Sequence, residues 1–590
     1  MPVIAASRPA TAVASPAWLP AWRVALVSCV LAVAACGGGG GDDNAAEPPP
    51  APPPAPGALL APPAQTLQID QRTTPTALAG QFEVRFSGST APAWTAQSDQ
   101  AWLRLAPATG TGAGTLAYTV DAAQLQSQPN WSTAVATVRI SAAGLGDVST
   151  TLTLDKRLPE VTMVWPNAVA AGQAGTVRVL GRGLSQLAGA GDIQVEGGRG
   201  VTGTIVSDTE ARLNLPVLFR GRHAISVPNS LGAEGPVASL AAVDPSVRPP
   251  SFESRYIGQS SFLFDASRQA WFGFYGGSSL DRWIFDGARW VQGSVALPGE
   301  LGSQNAVWLA LAPDRRSVYG YANNQLLAVD PDTLAIQQAY PLPSEWLGTS
   351  RRVQPAGITH DMRLWFTLFR SDNNTTSTTF LAYFDLRTQR FEAVQGGPTI
   401  TTDLAIGAAR DGSRLVGVRS AEGTGNFVYR AATSTFADMP SLPASSSGVL
   451  NDVGPDGTTF LVGNLHLYSF QEGADLVLQG SLPSAGRFNS SILSPDGSRV
   501  YALSTSGATT NVEGITATVL DRVAVFDATT TAAALRPLGT FDLPEPTIVC
   551  TGAILVAGCR HGSLQISPLG DTLFWPTFEK FLVVPVPGTL

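Results

Sequence analysis

A short phrase recurs at near-regular intervals from Arg248 to the C-terminus, and it limits the possible folds more than any other feature. Its copies are Leu311-Ala312-Pro313-Asp314, Thr359-His360-Asp361, Ala409-Arg410-Asp411-Gly412, Gly454-Pro455-Asp456-Gly457 and Ser494-Pro495-Asp496-Gly497, with degenerate forms at Phe264-Asp265 and Ser567-Pro568-Leu569-Gly570. Apolar residues precede each copy and a β-rich run follows it, as in Val318-Tyr319, Leu364-Trp365-Phe366 and Val500-Tyr501-Ala502-Leu503. Proline, aspartate and glycine supply the dihedrals of a tight turn, so the phrase reads as a turn joining two strands. A second phrase, seen at Trp283-Ile284-Phe285-Asp286-Gly287, Leu327-Ala328-Val329-Asp330-Pro331, Ala382-Tyr383-Phe384-Asp385-Leu386 and Ala524-Val525-Phe526-Asp527-Ala528, reads as a third strand entering another turn.

Residues 248–590 divide into seven units of 49 residues, close to the roughly 40–50 of a four-stranded repeat. One such unit cannot bury both faces, whereas seven in a ring can, which predicts a seven-bladed β-propeller. The pattern resembles YVTN and WD40-like β-propellers, the Ser-Pro-Asp-Gly turn being the shared element, although the Trp-Asp dipeptide is absent. The last unit stops one strand short after Phe581 to Val586, so Ser254 to Gln259 is expected to complete it and close the ring.

Strand order also sorts the loops. Both turn phrases share one face, and the long insertions fall on the other: Ser344 to Gly357, Arg370 to Thr379, Ala421 to Asn426, Ser504 to Asp521 and Cys550 to Cys559. A ligand surface is expected there, at the mouth of the central channel. Its candidate residues are Trp346, Arg351, Arg352, Asn373, Asn374, Arg487, Arg560 and His561, for each of which an ordinary solvated loop residue is the competing reading.

Two smaller modules precede the repeats. Residues 65–156 alternate apolar and polar, as in Phe82, Val84 and Phe86 against Glu83 and Arg85, which argues a half-buried antiparallel sheet. Trp94, Ala101-Trp102-Leu103 and Pro107 to Gly112 resemble a BACON domain, an immunoglobulin-like module whose family name implies carbohydrate binding. Both tryptophans are expected to be core anchors. Residues 157–247 carry Val161 to Pro166, Val177 to Leu184, Leu213 to Pro216 and Gly221 to Asn229, an order that resembles an IPT/TIG domain, also immunoglobulin-like. His223 shares strand parity with Ile225 and Val227 and is expected to fill that family's aromatic position. The fold class is therefore all-β: two immunoglobulin-like sandwiches followed by the propeller.

The N-terminus reads as an address. Arg8 and Arg23 precede a twelve-residue uncharged run, Val24 to Ala35, too short to span a bilayer of about 30 Å but suited to a signal peptide. Val33-Ala34-Ala35-Cys36 resembles the lipobox of bacterial lipoproteins, which implies cleavage after residue 35, lipid on Cys36 and, with Gly37 following, delivery to the outer membrane. The alternative is an ordinary export signal with a chance cysteine. Residues 36–64, rich in glycine and then proline, form a tether, extended at about 3.1 Å per residue where proline dominates. Cys29 lies in the discarded segment, which leaves Cys550 and Cys559. In an oxidising compartment they read as a local disulfide, the alternative being a redox or metal pair.

Composition excludes more than it assigns. A net charge of −8, becoming −10 once residues 1–35 are removed, opposes nucleic-acid binding. Only Lys156 and Lys580 are lysines, and the four histidines, at 223, 360, 466 and 561, have no zinc-site spacing. No catalytic motif, cofactor or metal is expected. The functional expectation is a monomeric, lipid-anchored cell-envelope protein whose propeller binds a glycan or protein. The alternatives are an envelope enzyme acting on a sugar or lactone in the channel, and an envelope-assembly scaffold.

Overall fold

The computed structural model describes residues 57–588 except 75–77, 89–91, 197–199, 229–237, 254–261, 276–278, 297–306, 348–349, 373–375, 396–397, 399–403, 420–424, 443–449, 464–465, 472–475, 484–489, 513–514, 551–562 and 578–579. Cys36 and Cys559 lie outside these residues, and Cys550 is described only as the backbone end of strand Pro537–Cys550.

Four-stranded antiparallel sheets follow one another from residue 263. The first comprises Leu263–Asp265, Ala270–Tyr275, Ser279–Phe285 and Trp290–Ala296, each strand pairing with the next. The same order repeats with innermost strands Val307–Leu311, Ser350–Thr359, Leu404–Ala408, Leu450–Val453, Ser491–Leu493 and Gln565–Ile566, the sixth sheet carrying a fifth strand, Thr509–Val512, paired with Ile515–Asp527. The innermost strands of the first six sheets touch in succession. The last sheet is completed by Phe252–Glu253, with Phe252 opposite Phe581 and Glu253 opposite Lys580. Seven sheets in a closed ring among the described residues make this part of the chain a β-propeller. The closing strand sits slightly before the expected Ser254 to Gln259, and Arg255 to Ile257 lie outside the described residues.

The two recurring phrases are both aspartate-anchored turns. In the first, the side chains of Asp265, Asp314, Asp411, Asp456 and Asp496 accept from the backbone N–H two residues on, at 2.8–3.0 Å. In the second, Asp286, Asp330 and Asp385 accept from the N–H groups two and three residues on. A short carboxylate replaces a backbone turn bond in both, which explains why aspartate recurs. The residue after the first aspartate turns left-handed: Gly412, Gly457 and Gly497 have φ of 72°, 70° and 74°. Two units place Arg315 (φ 57°) and Met362 (φ 66°) there instead.

Long aromatic and branched side chains fill the spaces between blades. Trp365 packs against Tyr383 and Tyr429, and Phe252 against Trp283, Trp290 and Phe581 across the closure. Two blades run longer than the rest. The three inner strands of the third blade, Ser350–Thr359, Arg363–Asp372 and Thr376–Asp385, are ten residues each. In the sixth blade, Ile515–Asp527 has thirteen residues and Pro537–Cys550 fourteen. Since the turn face fixes one end of each strand, the extra length projects from the opposite face. Much of Ser344 to Gly357 and Ser504 to Asp521, expected to be loop, is therefore strand, consistent with the β-branched residues they contain.

N-terminal to the ring are two pairs of sheets, each enclosing its own apolar cluster. The first pair contains Ala79–Phe86 and Gly114–Val120 on one side and Ser132–Ala142 and Gly146–Lys156 on the other. Trp94 and Trp102 are buried in this core, and Trp94 Nε1 donates to the Gly112 carbonyl at 2.9 Å. Gly110 is required because a Cβ there would lie 2.3 Å from the Trp94 ring. Lys156 is also buried; its ammonium donates to the Leu125 and Gln128 carbonyls at the C-terminal end of helix Ala122–Ser127, where cations are favoured.

The second pair contains Glu160–Trp165, Gly175–Arg182, Glu210–Leu215 and Thr202–Ile205 in one sheet. Ala168–Ala170, Ala238–Val243, Gly221–Ser226 and Gln194–Val195 form the other. His223 is buried with Ile225, both its ring nitrogens facing backbone carbonyls, of Glu196 and Phe219. The two pairs are joined by Gln71 N–H donating to Gln186 Oε1 and by Arg157 and Arg182 stacking on Trp131.

Candidate functional site

The face expected to bind ligand is only partly described. Asn373, Asn374, Arg487, Arg560 and His561 lie outside the described residues. Arg351 and Arg352 are placed in the backbone of Ser350–Thr359, opposite Arg370 and Phe369, with their side chains outside the description. Trp346 is a correction. It ends a single 3-10 turn, Ser344–Trp346, is 7% exposed, and meets Phe366, Phe380 and Phe391 edge-on at 5.2–6.5 Å. Burying an indole against three rings is more favourable than presenting it to water, so Trp346 belongs to the core and not to a ligand surface.

The turn face carries a second set of polar groups, and the sheet pair at 160–243 is docked on it. Arg315, in the left-handed turn position, pairs with the buried Asp265, donates to the Asn167 carbonyl at 2.8 Å and reaches the Ser239 carbonyl at 3.4 Å. The Ser239 N–H donates to the Pro313 carbonyl at 2.8 Å. Arg178 bridges Glu210 and Asp411, and Arg387 pairs with the fully buried Glu160. Met163 packs so closely on the Gly412 turn that a Cβ there would lie 2.5 Å from its sulfur. These contacts span three blades.

The pairs differ in weight. Arg315 and Asp265 are 3% and 0% exposed, so removing Asp265 would leave the Arg315 charge out of water without its carboxylate, whereas Asp265 would keep Arg268 if Arg315 were removed. Arg178 is 31% exposed, and water screens part of its attraction to Asp411. Burial and the neighbouring guanidiniums pull the acids in different directions. Asp265, facing both Arg315 and Arg268, is held below the usual carboxylate range despite its burial, whereas burial pushes Glu160 up against the pull of Arg387.

His360 lies in the same junction. Burial holds it down to about 4, with Arg182 and Arg387 adding to the effect and Asp361 opposing it, and its Nδ1 has no partner among the described residues. Neighbouring Asp361 accepts from Thr359 and Tyr429. The carboxylates here are held by arginines, turn N–H groups and hydroxyls in a structural network. Among the described residues, no group of three His, Cys, Asp or Glu could hold a metal ion.

The docking residues were hidden in the sequence by their own regularity. Asp265 and Asp411 are repeat aspartates and read as turn formers, which they also are. The usable signal was the departure from Asp-Gly at Asp314-Arg315, where a left-handed backbone site disfavours a side chain unless that side chain has work elsewhere.

The fold and this junction define a β-propeller protein with a β-sheet module fixed to its turn face. No family model and no curated protein matches the chain. Among solved structures, it is similar to the Myceliophteria thermophila Cps50 (Swd1) β-propeller domain, 10% identical over 57% of this chain and 100% of that one, TM-score 0.37. A similar match is to the complex of KlAtg21 with the coiled-coil of AgAtg16, 10% identical over 56% of this chain and 95% of that one, TM-score 0.37. The propeller assignment rests on the chain's own sheet order and ring closure.

Proposed function

We propose that this chain is a lipid-anchored cell-envelope protein, held to the outer membrane through Cys36, that presents its propeller for binding a glycan or protein and performs no catalysis. In this reading the two sheet pairs are immunoglobulin-like modules of BACON and IPT/TIG type, and residues 36–64 are the tether. The observation that carries it is the occupation of the turn face. With Arg315, Arg387 and Asp411 committed to the docked module, the opposite rim, where the long strands of blades three and six project, is the end of the channel left for a partner. Those two blades stand three places apart in a ring of seven and so form two walls across the channel mouth.

Metabolic labelling with palmitate tests the anchor. The wild type should label and fractionate with membranes, and Cys36→Ser should do neither. For the rim, the full chain is applied to a glycan array and crosslinked in envelope extract. A partner whose capture survives trimming of the hairpin between Arg370 and Thr379 would count against this reading.

A further inference from the structure

The two most exposed large apolar side chains among the described residues stand two positions apart: Val217 is 55% and Phe219 81% exposed. Both lie in the connection between strands Glu210–Leu215 and Gly221–Ser226 of the docked module. Exposed apolar residues scattered singly call for no explanation, but a pair at the tip of one loop does. Leu218 between them is buried in the module core, so its two neighbours are turned outward. The loop is pinned at two points. The Leu218 carbonyl accepts from the Gly172 N–H at 2.9 Å, and the Phe219 carbonyl faces His223 Nε2 at 2.7 Å. His223 is itself buried and meets the Glu196 carbonyl through its other nitrogen. A fixed backbone thus holds the valine and the phenylalanine out, which lowers the entropy lost when they dock.

Charge narrows the partner. Arg220 and Arg222 follow directly, are exposed, and form no ion pair among the described residues. The carboxylates that feel them are engaged elsewhere: Asp244 accepts from the Ser246 N–H and hydroxyl, and Asp332 takes two bonds from Arg268. Other arginines of the module, Arg178 and Arg212, are paired with Glu210. Two uncommitted guanidiniums beside an apolar tip suit a partner that is apolar within and anionic at its surface. A protruding tip offers no groove to grip a peptide, whereas a bilayer takes in a ring without matching its shape and presents phosphates to arginine.

We propose that Val217 and Phe219 enter the interface of an anionic phospholipid bilayer while Arg220 and Arg222 bind its headgroup phosphates. One apolar tip and two cations hold a surface weakly, as a single acyl chain does. The tip therefore orients a chain already held near a membrane, a role that rests on the anchored reading above, but the binding itself needs no lipid on Cys36.

The test is sedimentation of residues 37–590 with sucrose-loaded vesicles. This part keeps the compact unit Gly57–Leu590 and carries no acyl chain, so the outcome does not depend on Cys36. Vesicles of phosphatidylcholine mixed with phosphatidylglycerol should bind it about tenfold better than phosphatidylcholine alone. Arg220→Gln together with Arg222→Gln should remove that preference. Phe219→Asp should weaken binding about tenfold and leave the melting temperature unchanged, because the ring buries little. Val206→Asp, at a similarly exposed valine beyond the other end of strand Glu210–Leu215, should change neither. The proposal is overturned if phosphatidylglycerol brings no gain, if Phe219→Asp binds as wild type does, or if Val206→Asp weakens binding equally. A lowered melting temperature in Phe219→Asp would overturn it as well, because the ring would then be serving the fold. Vesicle binding by a chain whose Cys36 takes no palmitate would sink the anchor and leave the tip standing.

Discussion

Replacing Trp346 with alanine removes a ring that touches three phenylalanines in the third blade. The expected cost is about 3–5 kcal/mol, the range for emptying a buried aromatic site. Urea unfolding checks this, and an unchanged midpoint would return Trp346 to the surface. His360 gives a pH signature. Its pKa is about 4 in the folded chain against 6.5 ordinarily, so the unfolded chain binds more protons between those values. The stability it allows is complete above pH 6.5 and is lost as pH falls toward 4, by roughly 3 kcal/mol at most. Glu160, raised by burial, acts with the opposite sign, so the comparison must isolate His360. Urea midpoints of wild type and His360→Gln between pH 7 and pH 4 should diverge, the variant showing the shallower slope.

At the scale of elements, ring closure is the point of greatest leverage. Phe252–Glu253 contributes two residues to the last sheet, yet Phe252 lies against Phe581, Trp283 and Trp290 and so joins the last blade to the first. Phe252→Ala should cost roughly 2 kcal/mol, less than a fully buried phenylalanine because the residue is half-buried. Amide exchange should then quicken first in Lys580–Pro585, its pairing partner; uniform quickening around the ring would show that closure is not local. The element level was also where the sequence was most legible. Turn phrases, strand alternation and the missing last strand all depend on local chemistry and periods of two, which a sequence displays directly. Extended strands at Ser350–Thr359 and Ile515–Asp527 were less so, because irregular spacing between repeats looks the same whether it loops or pairs.

For the whole molecule, docking of the sheet pair at 160–243 covers part of the propeller's turn face. Arg315→Met should release part of that docking. Asp265 keeps Arg268 at 2.6 Å, which places the cost at about 3 kcal/mol, the low end for breaking a buried pair. Limited proteolysis should then cut between residues 244 and 252 faster than in wild type, while the isolated ring pattern stays intact. If cleavage and melting are both unchanged, Arg315 is not the anchor of the junction.

Sequence alone determined the all-β character, the repeat, the turns and the closure, because each is written in neighbouring residues: an aspartate that caps its own turn, a glycine that turns left-handed, a strand that alternates. Only the tertiary structure decided that Trp346 faces inward and that Arg315, Asp411 and Glu160 are docking groups. Those facts depend on residues up to hundreds of positions apart meeting across an interface, where burial sets the value of a charge or an unmet hydrogen bond. No local pattern carries that information.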